Sequence, residues 1–238
     1  MSTDAPEVGH EHPDVTGGWL RPAVFGASDG LVSNLALIAG VAGGTRAADS
    51  STAVVLAGFA GLAAGAFSMA VGEYTSVASQ SEAAAHEVAR ERAEIIANPR
   101  GEQHELAEMY VAKGVDEELA HEVARQIHAD VDNAVKVHAR EELGVDPDDL
   151  ASPMLAAVSS FLAFALGALV PLFPYLLGAD TLMPGLVITL IALFGCGAVV
   201  TSVTNRTWFY GGSRQMLLGA IAAALTYGIG SVVGANLG

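Results

Sequence analysis

The chain has 238 residues, 52% of them hydrophobic, with a mean hydropathy of +0.43 and a formal net charge of −15. A soluble domain this rich in apolar residues would be unusual, and so acidic a chain excludes a phosphate-seeking nucleic-acid binder. One cysteine, Cys196, excludes a disulfide framework or a thiolate zinc site within the chain and leaves packing as its expected role.

In chain order, residues 1–18 are polar and acidic and carry His10 and His12. They lack the basic start and apolar core of a secretory signal and read as a disordered tail. Five later stretches reach the roughly 20 apolar residues a bilayer-spanning helix needs: 22–44, 53–77, 154–178, 181–203 and 214–237. A spanning segment must satisfy its own backbone, so all five are helices. The expected fold class is an all-α membrane protein: five transmembrane helices with a helical cytoplasmic insert between helices two and three. The expected domains are the tail 1–18, transmembrane helices 1–2 over 19–79, a cytoplasmic helical metal-binding domain over 80–150, and transmembrane helices 3–5 over 151–238. Gly58, Gly61 and Gly65 line one side of the second span, and Gly219, Gly228, Gly230 and Gly234 repeat the pattern in the fifth; such spacing favours close helix approach. Pro171 and Pro174 fall near the end of the third span, where a membrane helix tolerates them.

The insert holds most of the negative charge. Residues 80–150 contain 18 Asp and Glu against 7 Lys and Arg, a net of −11. This suits metal cations or simply keeps the segment soluble. Residues 81–97 contain no breaker, so the second span should continue as one helix to Asn98-Pro99. A helix is expected over 102–113 with Gly114 as its C-cap, a third capped by Asp116 and running towards Ala129, and a fourth capped by Asp130 and ending at Gly144.

Orientation follows the Lys and Arg of short loops. Arg21, Arg90, Arg92, Arg206 and Arg214 share one side, and only Arg46 lies on the other. That puts the N-terminus and the insert in the cytoplasm and the C-terminus outside. The expected location is the plasma membrane of a bacterium.

Three pairs in the insert sit three or four residues apart, on one helix face each: Glu91 with Glu94, Glu102 with Glu105, and His138 with Glu142. Carboxylates with a neutral imidazole suit Mn²⁺ and Fe²⁺. Spacing alone favours a solvated acidic face, where such pairs are common. In the membrane, Asp29 lies about two turns into the first span, where an ionisable group costs about 2.5–3.5 kcal/mol on insertion scales and is usually functional or paired. Met69 and Glu73 lie one turn apart in the antiparallel second span, at a matching depth, so the three are expected to meet and form a transient divalent-metal site. The competing reading leaves Glu73 at the interface and Met69 in packing. Asn34, Thr201, Ser202 and Asn205 would add polar lining or bond helix to helix.

The motifs VFGASDGLVSN at 24–34, SMAVGEYTSVASQ at 68–80, HAREELG at 138–144 and FALGALVPLFP at 164–174, together with the closing RQMLLGAIAAALTYGIG, resemble the vacuolar iron transporter family. The likeness runs from about Trp19 to the C-terminus. It implies a five-span homodimer that exchanges Fe²⁺, and often Mn²⁺, for protons, with a path between subunits lined by helices one and two. It implies a membrane metal site at Asp29 and Met69, with Glu73 nearby. It also implies a cytoplasmic site at Glu91, Glu94, Glu102, Glu105 and Glu142. Where plant-like members carry a Met pair, this chain has His138 and Ala139.

The leading expectation is therefore a proton-coupled antiporter moving Fe²⁺ or Mn²⁺ out of the cytoplasm as a homodimer in the lipid bilayer. The metal is substrate, and no tightly bound cofactor is expected. The alternative is a membrane-anchored metal buffer or sensor that does not transport. An enzyme is not expected, since no Ser/His/Asp arrangement, P-loop or dinucleotide fingerprint occurs.

Overall fold

The computed structural model describes residues 18–45, 50–201 and 206–237. Residues 1–17 of the expected tail, with His10 and His12, lie outside the described residues, as do Arg46, Ser202 and Asn205. Among the described residues the structure is helical throughout, with no strand: α1 (Leu20–Gly44), α2 (Ser50–Ala97), α3 (Pro99–Ala112), α4 (Glu117–Ile127), α5 (Val131–Glu142), α6 (Pro153–Leu176), α7 (Leu182–Thr201) and α8 (Trp208–Leu237). Five of them, α1, α2, α6, α7 and α8, are long and apolar enough to cross a membrane. The fold is the all-α membrane protein with five spans and a helical insert between the second and third that the hydropathy pattern predicts.

The chain divides into two compact units, Met1–Glu73 with Leu155–Gly238, and Tyr74–Met154. α2 contributes to both, because no proline interrupts it between its apolar first half and its polar second half. Pro99 ends it by disfavouring helical backbone at Asn98. Asn98 then caps α3, its Oδ1 accepting a hydrogen bond from the Gly101 N–H at 3.2 Å.

In the first unit, large apolar side chains face outward, among them Phe67 and Val71 on α2, Leu166 on α6 and Ile229 on α8. A water-soluble fold would bury them, whereas a hydrocarbon environment accepts them. With little hydrophobic drive between helices in lipid, close backbone approach holds the bundle together. Gly26 and Gly30 of α1 lie against the α6 backbone at Ser160 and Phe164, and Gly167 of α6 lies against Ala27 and Leu31 of α1. α1 also packs extensively on α8, where Gly40 and Gly44 oppose Gly230 and Gly234. The expected stripe on α2 meets Leu172, Leu37 and Phe164 through Gly58, Gly61 and Gly65; on α8, Gly228 departs from its stripe and faces open space.

α8 starts at Trp208, earlier than the expected 214. Trp208 and Phe209 pack edge-on against Phe194 of α7, with ring centroids 5.9 and 6.0 Å apart. That aromatic clasp holds the first turn of the helix, ahead of the continuous apolar run.

In the second unit, α3 and α4 close over Leu106, Ala107, Ala120 and Ala124, and Ile95 of α2 packs with Ala134 and Val135 of α5. The turn between α3 and α4 passes through Gly114 at φ +93°, a conformation that disfavours a side chain. Asp116 and Asp130 cap α4 and α5 as expected, accepting from Glu118 N–H at 3.1 Å and Asp132 N–H at 2.8 Å. α3 begins at Pro99 rather than 102, and α4 and α5 stop at Ile127 and Glu142, short of the expected ends.

Gly167→Val should force α1 and α6 apart and destabilise the protein by about 1–3 kcal/mol, the usual range for overpacking. Gly195→Val, at a position facing open space, should cost far less. Thermal unfolding of both variants in detergent checks the contrast.

Candidate functional site

In the first unit, Asp29 lines two cavities. One, of about 230 Å³, is bounded by Asp29, Ser33 and Asn34 of α1, Ser68 and Met69 of α2, and Phe164 of α6. The other, of about 590 Å³, joins Asp29 to Arg21, Ser28, Glu73 and Gln215. The three residues expected to meet at one level are thus distributed: Asp29 shares one cavity with Met69 and the other with Glu73. Asp29 and Met69 are partly buried. Such a setting offers a cation a hard carboxylate, a soft thioether and two hydroxyls.

Asn34, named above only as polar lining, has a definite place. Its Nδ2 donates to the Ala168 carbonyl of α6 at 2.6 Å, which fixes the amide. Its Oδ1 is buried and has no hydrogen-bond partner among the described residues. That oxygen is directed towards Gly61, on the wall of the smaller cavity. An unpaired buried carbonyl oxygen is costly unless something else meets it. Thr201, by contrast, donates to its own helix at the Ala198 carbonyl, 2.7 Å away. Cys196 lies 3.1 Å from the Ser28 hydroxyl, a packing position beside Asp29 on α1.

In the second unit, the α2 tail, α3 and α5 bring the expected insert residues together. His138 is fully buried, with Nδ1 2.6 Å from Glu142 Oε1 and 3.0 Å from Glu91 Oε1. A ligand atom from each of Glu91, His138 and Glu142 lies within 4.8 Å of the others. The hydrogen bond from Nδ1 goes to Glu142. Glu91 Oε1, though close to the same nitrogen, is left buried without a hydrogen-bond partner among the described residues. One proton cannot serve two carboxylates, and a dication here would satisfy both.

Burial pushes the Glu91 carboxyl up to about 7, with Glu142, Glu102 and Glu94 adding and His138 opposing. Glu91 lies on the polar half of α2, well past the apolar span. Glu102 is also raised, by burial first and then by Glu105, with smaller contributions from Glu94 and Glu142. Glu91 and Glu102 thus each feel Glu94, His138 and Glu142, and Glu102 feels Glu105 as well. Glu94 is in addition held by Arg90, Nε to Oε1 3.4 Å.

The structure adds His128, at the C-cap of α4, which spacing did not single out. Its Nε2 lies 3.0 Å from His138 Nε2, and burial first, then the neighbouring His138 imidazole, lowers its pKa. With His138 Nδ1–H donating to Glu142, His138 Nε2 is the acceptor and His128 Nε2–H the donor. A metal on His138 Nδ1 would reverse both tautomers, leaving His138 Nε2–H to donate to His128. An outer-shell partner of this kind orients a ligating imidazole.

The chain matches the model of the VIT family over residues 20–231. It is 38% identical over 232 residues to the "Vacuolar iron transporter" of Acanthamoeba castellanii, covering 93% of this chain and 82% of that protein. It is 33% identical over 228 residues to "Vacuolar iron transporter 1" of Arabidopsis thaliana, covering 94% and 90%. It is 31% identical over 230 residues to the protein of that name from Oryza sativa subsp. japonica, again covering 94% and 90%.

The Glu91 carboxyl sets a pH dependence. Its native pKa of about 7 lies above the ordinary 4.5, so between those values the native unit binds more protons than the unfolded chain. Metal-free stability therefore falls as pH rises through that window and levels off above it. Metal affinity runs the other way, because the ion must displace the proton: it should be about tenfold weaker one pH unit below 7 and flat above. Mn²⁺ titration of the detergent-solubilised protein across this range checks the profile. Glu91→Gln should weaken binding, flatten its pH dependence, and raise the melting temperature of the metal-free protein above pH 7.

Proposed function

This chain belongs to the VIT family, and on that premise we propose that it is a proton-coupled transporter moving Fe²⁺ or Mn²⁺ out of the cytoplasm. It is a multi-pass membrane protein whose relatives are named vacuolar iron transporters. The observation that carries the reading is the position of Asp29, a carboxylate on a spanning helix lining two cavities at once. A helix that only anchors has no need of it, given its insertion cost.

A carboxylate in such a place is balanced by a proton or by a metal ion, one at a time. Arrival of the dication releases the proton, and reprotonation from the far side removes the charge that held the metal. One group thus links the two flows without ATP. Met69 and Asn34 supply further ligands in the smaller cavity, and Glu73 stands in the larger one, on a route to or from Asp29. The insert captures ions at low concentration through Glu91, Glu94, Glu102, Glu105, His138 and Glu142. Where plant-like members carry a Met pair, His138 puts an imidazole in place of one thioether and Ala139 leaves the other position without a donor, which shifts the set towards nitrogen. The arginine distribution supports a cytoplasmic insert and N-terminus. Location in the plasma membrane of a bacterium is part of the same proposal.

A second reading, a membrane-anchored buffer or sensor, draws on the insert's ability to assemble a ligand set within its own compact unit. Flux separates the two. In proteoliposomes with a pH gradient, the wild-type chain should take up Mn²⁺ with proton counterflow. Asp29→Asn keeps size and polarity but cannot ionise; it should lose at least about tenfold of that flux while metal binding at the insert survives. Wild-type flux from Asp29→Asn would reject the mechanism, and absence of flux from the wild-type chain would favour the buffer.

The proposal includes a homodimer with α1 and α2 at the shared interface, since a second copy would bring a second Asp29 to one path. Ala63 and Ala64 are exposed on α2. A cysteine at either, in a Cys196→Ala background, should form an intermolecular crosslink in liposomes; transport by a demonstrated monomer would overturn the arrangement.

A further inference from the structure

We propose a second cation site in the insert, on the α3–α4 hairpin, formed by His104, Glu108 and His121 and taking a borderline divalent transition metal. His104 and Glu108 are one turn apart on α3 and so share a face. His121 reaches them from α4. One ligand atom from each lies within 4.8 Å of the others. The imidazoles of His104 and His121 lie parallel, with ring centroids 5.4 Å and planes 8° apart.

This arrangement is imposed from beneath. Ala107, Ala120 and Ala124 are small enough to let the two helices approach, and Leu106 fills the seam. The Gly114 turn and the Asp116 cap fix where α4 begins. The rims of the two helices therefore stand side by side, with His104 and Glu108 on that of α3 and His121 on that of α4.

Two neighbouring charges on the hairpin already have partners. Glu122 accepts from Arg125 and Gln126, and Lys113 pairs with Glu141. Among the described residues no hydrogen bond or ion pair engages His104, Glu108 or His121. Two imidazoles and a carboxylate thus stand within reach of one another with their donor atoms uncommitted. A tetrahedral site with metal–nitrogen bonds of about 2.0–2.1 Å needs ligand atoms about 3.3 Å apart. With every pair within 4.8 Å, at most about 1.5 Å remains to be closed. His104 and Glu108 are exposed, so modest side-chain rotation can close it.

The donor set distinguishes this site from the Glu91–His138–Glu142 cluster, with which it shares no residue. Two nitrogens and one carboxylate favour Zn²⁺, Co²⁺ or Fe²⁺ over Mg²⁺ and Ca²⁺. Three protein ligands leave a position for water, as in open zinc sites, so a bound ion can exchange. The site is independent of the transport reading, because it requires only the insert.

The test uses full-length protein in detergent, with Zn²⁺ followed by calorimetry and Co²⁺ by visible absorption. His104→Ala/His121→Ala should lose one Zn²⁺ per chain relative to wild type. Glu91→Gln/His138→Ala should retain that ion and, with Co²⁺, the intense absorption of a four-coordinate site. Glu108→Gln should weaken the same ion about tenfold. His104→Asn/His121→Asn, which keeps exposed polar side chains, guards against misfolding by the alanine pair, and circular dichroism of each metal-free variant is the control. Zn²⁺ stoichiometry and affinity equal to wild type in a folded double-histidine variant would overturn the site. So would Zn²⁺ binding to Glu91→Gln/His138→Ala weaker than millimolar.

Discussion

Negative charge with little water around it has to be balanced locally, and both units of this chain are organised around that requirement. In the membrane unit a carboxylate stands at Asp29, within a spanning helix and between two cavities that gather the polar residues Arg21, Ser28, Ser33, Asn34, Ser68, Glu73 and Gln215. In the insert the charge is carried by Glu91, which is 5% exposed and surrounded by further carboxylates. Neither position makes sense as solvated surface. Asp29 shares its smaller cavity with Asn34, whose Oδ1 is buried without a hydrogen-bond partner among the described residues, and Glu91 leaves its own Oε1 in the same condition. Of the three buried side-chain atoms left without a partner among the described residues, Asn34 Oδ1 and Glu91 Oε1 are placed where a cation could meet them, while Ser160 Oγ on α6 bounds neither cavity at Asp29.

The membrane unit can hold such a group because α1 is fixed on two sides by backbone contact. Its glycines sit against α6 near one end and against α8 near the other, so the helix cannot slide without collision. Asp29 and Asn34 are therefore presented at constant depth. The Asn34 amide contributes too: its bond to the Ala168 carbonyl ties α1 to α6 one turn before Pro171, where the proline ring weakens the helix's own ladder.

Much of this could be read from residue order. Long apolar runs force helices, so the five spans and the long α2 follow from composition and the absence of proline. Asp116 and Asp130 announce their helix starts through local capping chemistry. The i,i+3 and i,i+4 pairs put the insert's ligand candidates on definite faces. What order could not supply was which faces meet. The cavity assignments separating Met69 from Glu73 depend on helix rotation within the bundle, which hydropathy does not encode. His128 reaches His138 only through the turn between α4 and α5, a tertiary contact with no periodic signature. The early start of α8 rests on aromatic packing between helices, and His104, Glu108 and His121 gather only once the hairpin closes.

The lone thiol gives the chain a practical property. Cys196 touches Ser28, which lines the larger cavity, and Ser28 adjoins Asp29 in sequence. With no other sulfhydryl to compete, an alkylating dye or a spin label can attach at one position only. Its rate of reaction would report how wet that side of the bundle is, and its signal would follow events near the carboxylate in the unmutated protein. The molecule carries a built-in attachment point for spectroscopy.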